Sequence, residues 1–103
     1  MASESIVKIE KSTRKGKKYM ATVRDDDTNK TRIVHFGALS FQQYFDSTRL
    51  KLYSDYNHKD VQRRHNYFQR FSGTKSKKKA LAKVLSMTNG KISPMYLSHK
   101  YLW

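Results

Sequence analysis

Over the first forty positions, apolar and polar residues alternate. In Ile6-Val7-Lys8-Ile9-Glu10 the pair Val7 and Ile9 falls on one face. Tyr19, Ala21 and Val23 alternate with Met20, Thr22 and Arg24, and Ile33 and His35 alternate with Val34 and Phe36. A period of two bounded by turn formers marks a half-buried strand. Gly16 sits in the first connection and the cluster from Asp25 to Asn29 makes the second, so a three-stranded antiparallel meander is predicted. From Asn57 onward the period lengthens. Asn57 reads as an N-cap, and Asp60 follows three residues later, where a carboxylate favours the free amides of the first turn. That helix runs to about Phe71, with Gly73 as its stop. A second helix is predicted from about Lys75 to Met87, with Leu81, Val84, Leu85 and Thr88 in one stripe and Gly90 ending it. Ser93-Pro94 is a cap followed by proline at the first helical position. It opens a short terminal helix whose Met95, Tyr96, Leu97, Tyr101, Leu102 and Trp103 pack inward. Residues 38–56 hold Phe41, Tyr44, Phe45, Leu52, Tyr53 and Tyr56 with no clear period, which suggests a packed loop with helical turns. The expected fold class is α+β, a small three-stranded antiparallel sheet followed by two or three helices packed on one face.

At 103 residues the chain fits one small domain, residues 1–103. It has no cysteine, hence no disulfide framework, thiolate metal site or thiol nucleophile. No apolar run is long enough to span a membrane, and Met1-Ala2-Ser3-Glu4-Ser5 lacks the order of a secretory signal. The aromatic share of 13% is too high for a disordered basic tail. Charge changes the picture most. The net charge is +14, of which +4 lies in residues 1–40 and +10 in residues 41–103. Two dense runs, Arg14, Lys15, Lys17 and Lys18 around Gly16 and Lys75 with Lys77, Lys78 and Lys79, read as phosphate-binding patches or as nuclear-localisation-like runs, and two of them on one small domain favour a polyanion surface over a merely solvated face.

At 100° per residue, Lys59, Arg63, Asn66 and Arg70 project within a wedge of about 60°. Val61, Tyr67, Phe68 and Phe71 lie on the opposite half. Arg64 falls amid that apolar half, where an unpaired charge is costly. Asp60, one turn earlier, is its nearest expected partner, forming a structural ion pair; Asp55 and Asp46 are the alternatives from the preceding loop. The candidate nucleic-acid-binding set is therefore Arg14, Lys15, Lys17, Lys18, Lys59, Arg63, Arg70, Lys75, Lys77, Lys78, Lys79 and Lys83. Lysine and arginine meet phosphate without needing a particular base. Gln62, Asn66 and Gln69 have the chemistry to read base edges, but nothing in their spacing demands it. Tyr44, Tyr53, Tyr56 and Tyr67 would suit base stacking. In a chain with so few aliphatics the stronger reading is that they form the core, which favours duplex or non-selective backbone binding.

The stretch Asp55-Tyr56-Asn57-His58-Lys59-Asp60-Val61-Gln62-Arg63-Arg64-His65-Asn66-Tyr67-Phe68-Gln69-Arg70-Phe71 resembles a motif of small basic proteins from nucleocytoplasmic large DNA viruses, including the marseillevirus group. That motif reads D-Y-x-x-H-K-D-x-x-R-R-x-x-Y-x-x-R; here one residue rather than two separates Tyr56 from His58, and Asn57 stands where the family commonly has Thr. The aromatic–glycine pair Phe36-Gly37 and the closing Ser98-His99-Lys100-Tyr101-Leu102-Trp103 are similar to the family's flanks. The Lys-rich helix near 75–88 is not a feature of that pattern. The resemblance implies a virion-associated protein packaged with the genome and located in the virion, and in the host cytoplasm or viral factory during infection. It carries no catalytic assignment.

Signals for catalysis are weak. His58 and His65 are seven apart, too far for a ligand pair on one helical face; His35 and His99 stand alone in the sequence. Asp25-Asp26-Asp27 lacks the later Glu and the glycine of a calcium loop. After residue 40 the only acids are Asp46, Asp55 and Asp60, too few to favour a two-metal nuclease. No cofactor, metal, membrane partner or small-molecule substrate is expected. The leading expectation is a non-enzymatic protein that binds nucleic acid, DNA favoured, and helps package a viral genome. The alternative is a structural adaptor of the particle that binds an acidic viral protein or the inner shell. A free sheet edge or the aromatic C-terminal segment would suit a homodimer.

Overall fold

A computed structural model describes residues 3–103. Three strands, β1 (Glu4–Lys11), β2 (Lys17–Asp25) and β3 (Thr31–Ala38), form an antiparallel sheet in the order β1-β2-β3. Three helices follow: α1 (Val61–Ser72), α2 (Lys77–Met87) and α3 (Pro94–Tyr101). The architecture is α+β, with β2 central. The turn between β1 and β2 passes through Gly16 at φ +83°. In the next turn the Asp25 carboxylate accepts from the amides of Asp27 and Thr28, the local bonding that makes aspartate a turn residue.

The pairing of β1 differs from strict alternation. Ile6 pairs with Val23 but Lys8 pairs with Thr22, so the register shifts between them. A bulge adds one residue and reverses the parity beyond it. Ile6 and Ile9 therefore both pack on the core, and Val7, expected beside Ile9, is 53% exposed. On β2 and β3 the alternation holds apart from Lys18, which is buried beside Tyr19. Tyr19, Ala21, Val23, Val34 and Phe36 are buried against Ile92, Leu97 and Leu102, with Tyr53, Tyr96, Tyr101 and Trp103 closing the sides. Burying a ring such as Phe36 contributes about 2–3 kcal/mol.

The helix ends follow local chemistry. Ser76 and Ser93 cap α2 and α3, accepting from the amides of Lys79 and Tyr96, and Pro94 opens α3. The α1 cap differs from expectation: it is Asp60, whose side chain accepts from the amide of Arg63. Asn57 lies outside the helix. Its side-chain oxygen accepts from Gln43 Nε2 at 2.7 Å and from the Asp46 amide at 2.8 Å. Gly73 terminates α1 in the left-handed region at φ +68°, as expected of a C-terminal glycine.

Residues 39–60 form a strap across the end of the sheet. It contains a single 3-10 turn, Ser54–Tyr56, and a parallel bridge between Gln43 and Asn57. Buried polar groups hold it. Asp46 accepts from the Tyr19 hydroxyl, from Thr48 Oγ1 and from the Tyr53 amide, and Tyr19 Oη accepts from the Leu52 amide. Burial, together with the neighbouring Asp46 carboxylate, raises the Tyr19 phenol to about 12. The last residues complete the strap, since the Leu102 carbonyl accepts from the amides of Tyr44 and Phe45 and the Tyr101 carbonyl from that of Ser47. At the opposite end of the sheet, Arg32 grips Glu4 through two guanidinium bonds of 2.8 and 3.2 Å. That pair also bonds the backbone of Ile92, joining both edge strands to the segment that leads into α3.

Helix α1 meets α3 through a buried imidazole. His99 Nδ1 lies 3.0 Å from the Tyr67 hydroxyl and Nε2 lies 2.9 Å from Ser72 Oγ. Burial holds its pKa down to about 4, and the Lys77 charge acts in the same direction, against a bond that the ring donates to the Met95 backbone. Among the described residues no helix is long and apolar enough to cross a membrane.

Candidate functional site

The twelve cations selected from sequence separate into three groups. Arg14 and Lys15 are exposed on the β1–β2 turn, and Lys17 opens β2 opposite Ala38. Arg63 and Arg70 are exposed on α1; Lys75 lies on the α1–α2 connection, with Lys78, Lys79 and Lys83 exposed on α2. These residues are available to an outside partner. Lys83 has a local contact as well, with Nζ 3.2 Å from where a Cβ would stand on Gly73, at the α1 C-terminus.

Three of the candidates do not behave as expected. Lys18 is not a phosphate ligand: it is 1% exposed. Its ammonium donates to the Phe41 carbonyl at 2.6 Å and to Gln43 Oε1, and lies over the Tyr56 ring. Burial lowers its pKa to about 8, with the Asp46 charge partly opposing. Lys59 precedes α1 in the left-handed region at φ +55°, so it is not on the helical wedge with Arg63 and Arg70; its ammonium lies over Phe45 instead. Lys77 is half-buried and donates to the Lys100 carbonyl at 3.0 Å. Burial, with Arg64 and Lys100 nearby, lowers its pKa.

The expected Asp60–Arg64 ion pair is absent. The Asp60 carboxylate caps the helix, and the neighbouring alternatives are unused too, since Asp46 is bonded to Tyr19 and Thr48. Arg64 meets a backbone oxygen and two π-faces. Its Nε donates to the Trp103 backbone oxygen at 3.1 Å, and its guanidinium carbon lies 4.9 and 5.8 Å from the centroids of Tyr44 and Phe68. A guanidinium is weakly hydrated and planar, so it packs well against aromatic rings.

Between the strap and α1 lies an open cleft of about 730 Å³. Arg63, Asn66 and Arg70 line the α1 wall, and Ser40, Phe41 and Gln42 the strap wall. The Tyr67 and Trp103 rings that also line it are stacked, 4.1 Å apart and within 3° of parallel. Arg63 spans the cleft, its Nη1 donating to Gln42 Oε1 at 3.0 Å, and the Arg70 guanidinium lies over Phe71. No acidic residue lines it. His58, packed between Tyr44 and Trp103, has its pKa lowered by burial and then by Arg63, against Asp60. Burial also raises the Tyr67 phenol.

Phe41, Gln42 and Trp103 are the site residues that the spacing does not single out. The available signal is a pair of polar amides beside an aromatic, Phe41-Gln42-Gln43, in a segment with no period. Phe71, expected inward with Phe68, is 41% exposed at the cleft, whereas Phe68 is buried. Ion pairing across the molecule is uneven. The ion pairs among the described residues are Lys8–Glu10, Arg24–Asp26 and Arg32–Glu4, all on the sheet strands or the turn after β2. None involves a residue of 41–103, where most of the excess positive charge resides.

Residues 7–48 match a family of unknown function (DUF5754), a stretch that runs from β1 through the strap to Thr48 and stops before α1. No curated protein and no solved structure matches the chain.

Proposed function

We propose that this protein is a non-enzymatic nucleic-acid-binding protein that contacts phosphates without regard to sequence. On the resemblance set out above, it is associated with the particle of a large DNA virus, where it helps package the genome. One observation carries the reading: thirteen Lys and Arg side chains lie in residues 41–103, and among the described residues none of them is ion-paired with an aspartate or glutamate. Such an uncompensated surface attracts a polyanion and releases its counterions on binding. Arg63 and Arg70 stand on one exposed face of α1, and Lys75, Lys78 and Lys79 continue the charge along the next connection and helix.

The test is a salt titration of binding by fluorescence anisotropy. If about six phosphates are neutralised, log affinity falls against log salt with a slope near −5 on duplex DNA. Replacing Arg63 and Arg70 together with glutamine lowers affinity for every sequence alike and makes the slope shallower by about 2. Absence of binding at low salt would overturn the reading. Release of the protein from opened particles by nuclease supports the genome as its partner, and retention points to the shell.

A further inference from the structure

We infer that the cleft between the strap and α1 receives an unpaired nucleotide of a single strand, its base against exposed rings and its phosphate on Arg63 and Arg70. The inference rests on the nucleic-acid reading above and narrows it to a ligand class. The cleft's volume, about 730 Å³, lies within the range that holds small organic groups. Its lining combines three kinds of group. Phe41 is 69% exposed and offers its π-face, and Phe71, 41% exposed, carries the Arg70 guanidinium over its ring. Arg63 and Arg70 supply the charge for phosphate, with no carboxylate in the lining to compete. Gln42 and Asn66 add side-chain amides to the lining. Asn66 Oδ1 already accepts from Gln62 Nε2, and its amide nitrogen has no hydrogen-bond partner among the described residues.

The rim is held in position from beneath. The buried Lys18 ammonium binds the Phe41 carbonyl, and the Phe41 amide donates to the Ala38 carbonyl at 3.2 Å. Phe41 is thus an exposed ring on a fixed backbone, so little ordering cost falls on binding. The acidic groups of a peptide would use the arginines and leave the rings without a partner. A duplex would use the arginines as well, yet keeps its bases stacked on one another. An unpaired nucleotide uses both, since every base has a π-face to stack on an aromatic side chain. This departs from the duplex or backbone-only binding that the sequence favours when its aromatics are read as core.

The experiment compares a labelled oligo-dT strand with a duplex of equal length, at low salt, by anisotropy. Phe41→Ala is expected to weaken oligo-dT binding about tenfold, in the lower part of the range for losing one stacked base. Phe41→Tyr restores binding, and duplex affinity stays within about twofold for both variants. Circular dichroism melts verify that the variants fold, and Phe71→Leu provides a second ring substitution with the same expected selectivity. In the unmodified protein, oligo-dT quenches emission from Trp103, the only tryptophan, more strongly than duplex does. If Phe41→Ala leaves oligo-dT binding intact, or weakens strand and duplex equally, the inference fails while the nucleic-acid reading stands. If neither nucleic acid binds and polyglutamate does, both fail and an acidic protein is the partner.

Discussion

Lowering the pH from 7 to 4 should cost this fold about 3 kcal/mol through a single side chain. His99 is fully buried between Tyr67 and Ser72, and its pKa is held down to about 4 from an ordinary 6.5. Between those values the unfolded chain holds the proton and the folded chain does not. Stability from this group is therefore complete above pH 6.5 and declines as pH falls toward 4, with a slope approaching 1.4 kcal/mol per pH unit. The 2.5-unit difference corresponds to about 3 kcal/mol. His58 is depressed as well and acts with the same sign, so wild type alone does not isolate His99. The comparison is with His99→Gln, which stays neutral throughout and keeps a donor and an acceptor. Urea unfolding followed by Trp103 fluorescence at pH 7, 5.5 and 4 gives the free energies. The variant should start less stable but lose much less on acidification. Equal losses in both proteins, or a wild type flat to within 1 kcal/mol, would refute the reasoning.

Two other substitutions test the packing. Gly37→Ala should destabilise by about 2 kcal/mol, because the residue stands at φ +80° and the new Cβ would lie 2.9 Å from Leu102 Cδ1. Gly16→Ala, at φ +83° with nothing within 4 Å, should cost only about 1 kcal/mol for its backbone conformation; thermal melts of the pair separate crowding from strain. Asp60→Ala should cost about 1 kcal/mol in chemical denaturation, the value of a lost N-cap. The 3–5 kcal/mol of a broken buried ion pair would be seen instead if Arg64 depended on it.

What the sequence conveys well is whatever depends on neighbours in the chain. Ser93-Pro94 marks the start of α3, Gly73 the end of α1, and the alternation of Tyr19, Ala21 and Val23 the inner face of β2, because each effect is decided within a few residues. What it conveys poorly is decided by partners far away. The bulge after Ile6 depends on how β1 meets β2, so Val7 turns outward against its own alternation. Asn57 has the chemistry of a cap, but Gln43 and Asp46 claim its side chain, and Asp60 takes the role. Lys18 belongs to a basic run, and only the return of Phe41 and Gln43 over it reveals a buried ammonium. For Arg64 the wheel correctly identifies a cation needing company, but not that the company is a backbone oxygen and two rings. The cleft is the extreme case, since Phe41, Arg63 and Trp103 come from three separate segments and no local pattern joins them.

The carbonyls of Tyr101 and Leu102 anchor the strap at Tyr44, Phe45 and Ser47, contacts that close very long loops and tend to form late. During synthesis the meander has all its strands once Ala38 has cleared the ribosome, whereas the strap waits for residues 101–103 to emerge. A nascent chain halted before Leu102 would carry a finished sheet beside an unfastened loop, and the arginine-and-ring cleft would still lack the wall that Leu102 and Trp103 supply.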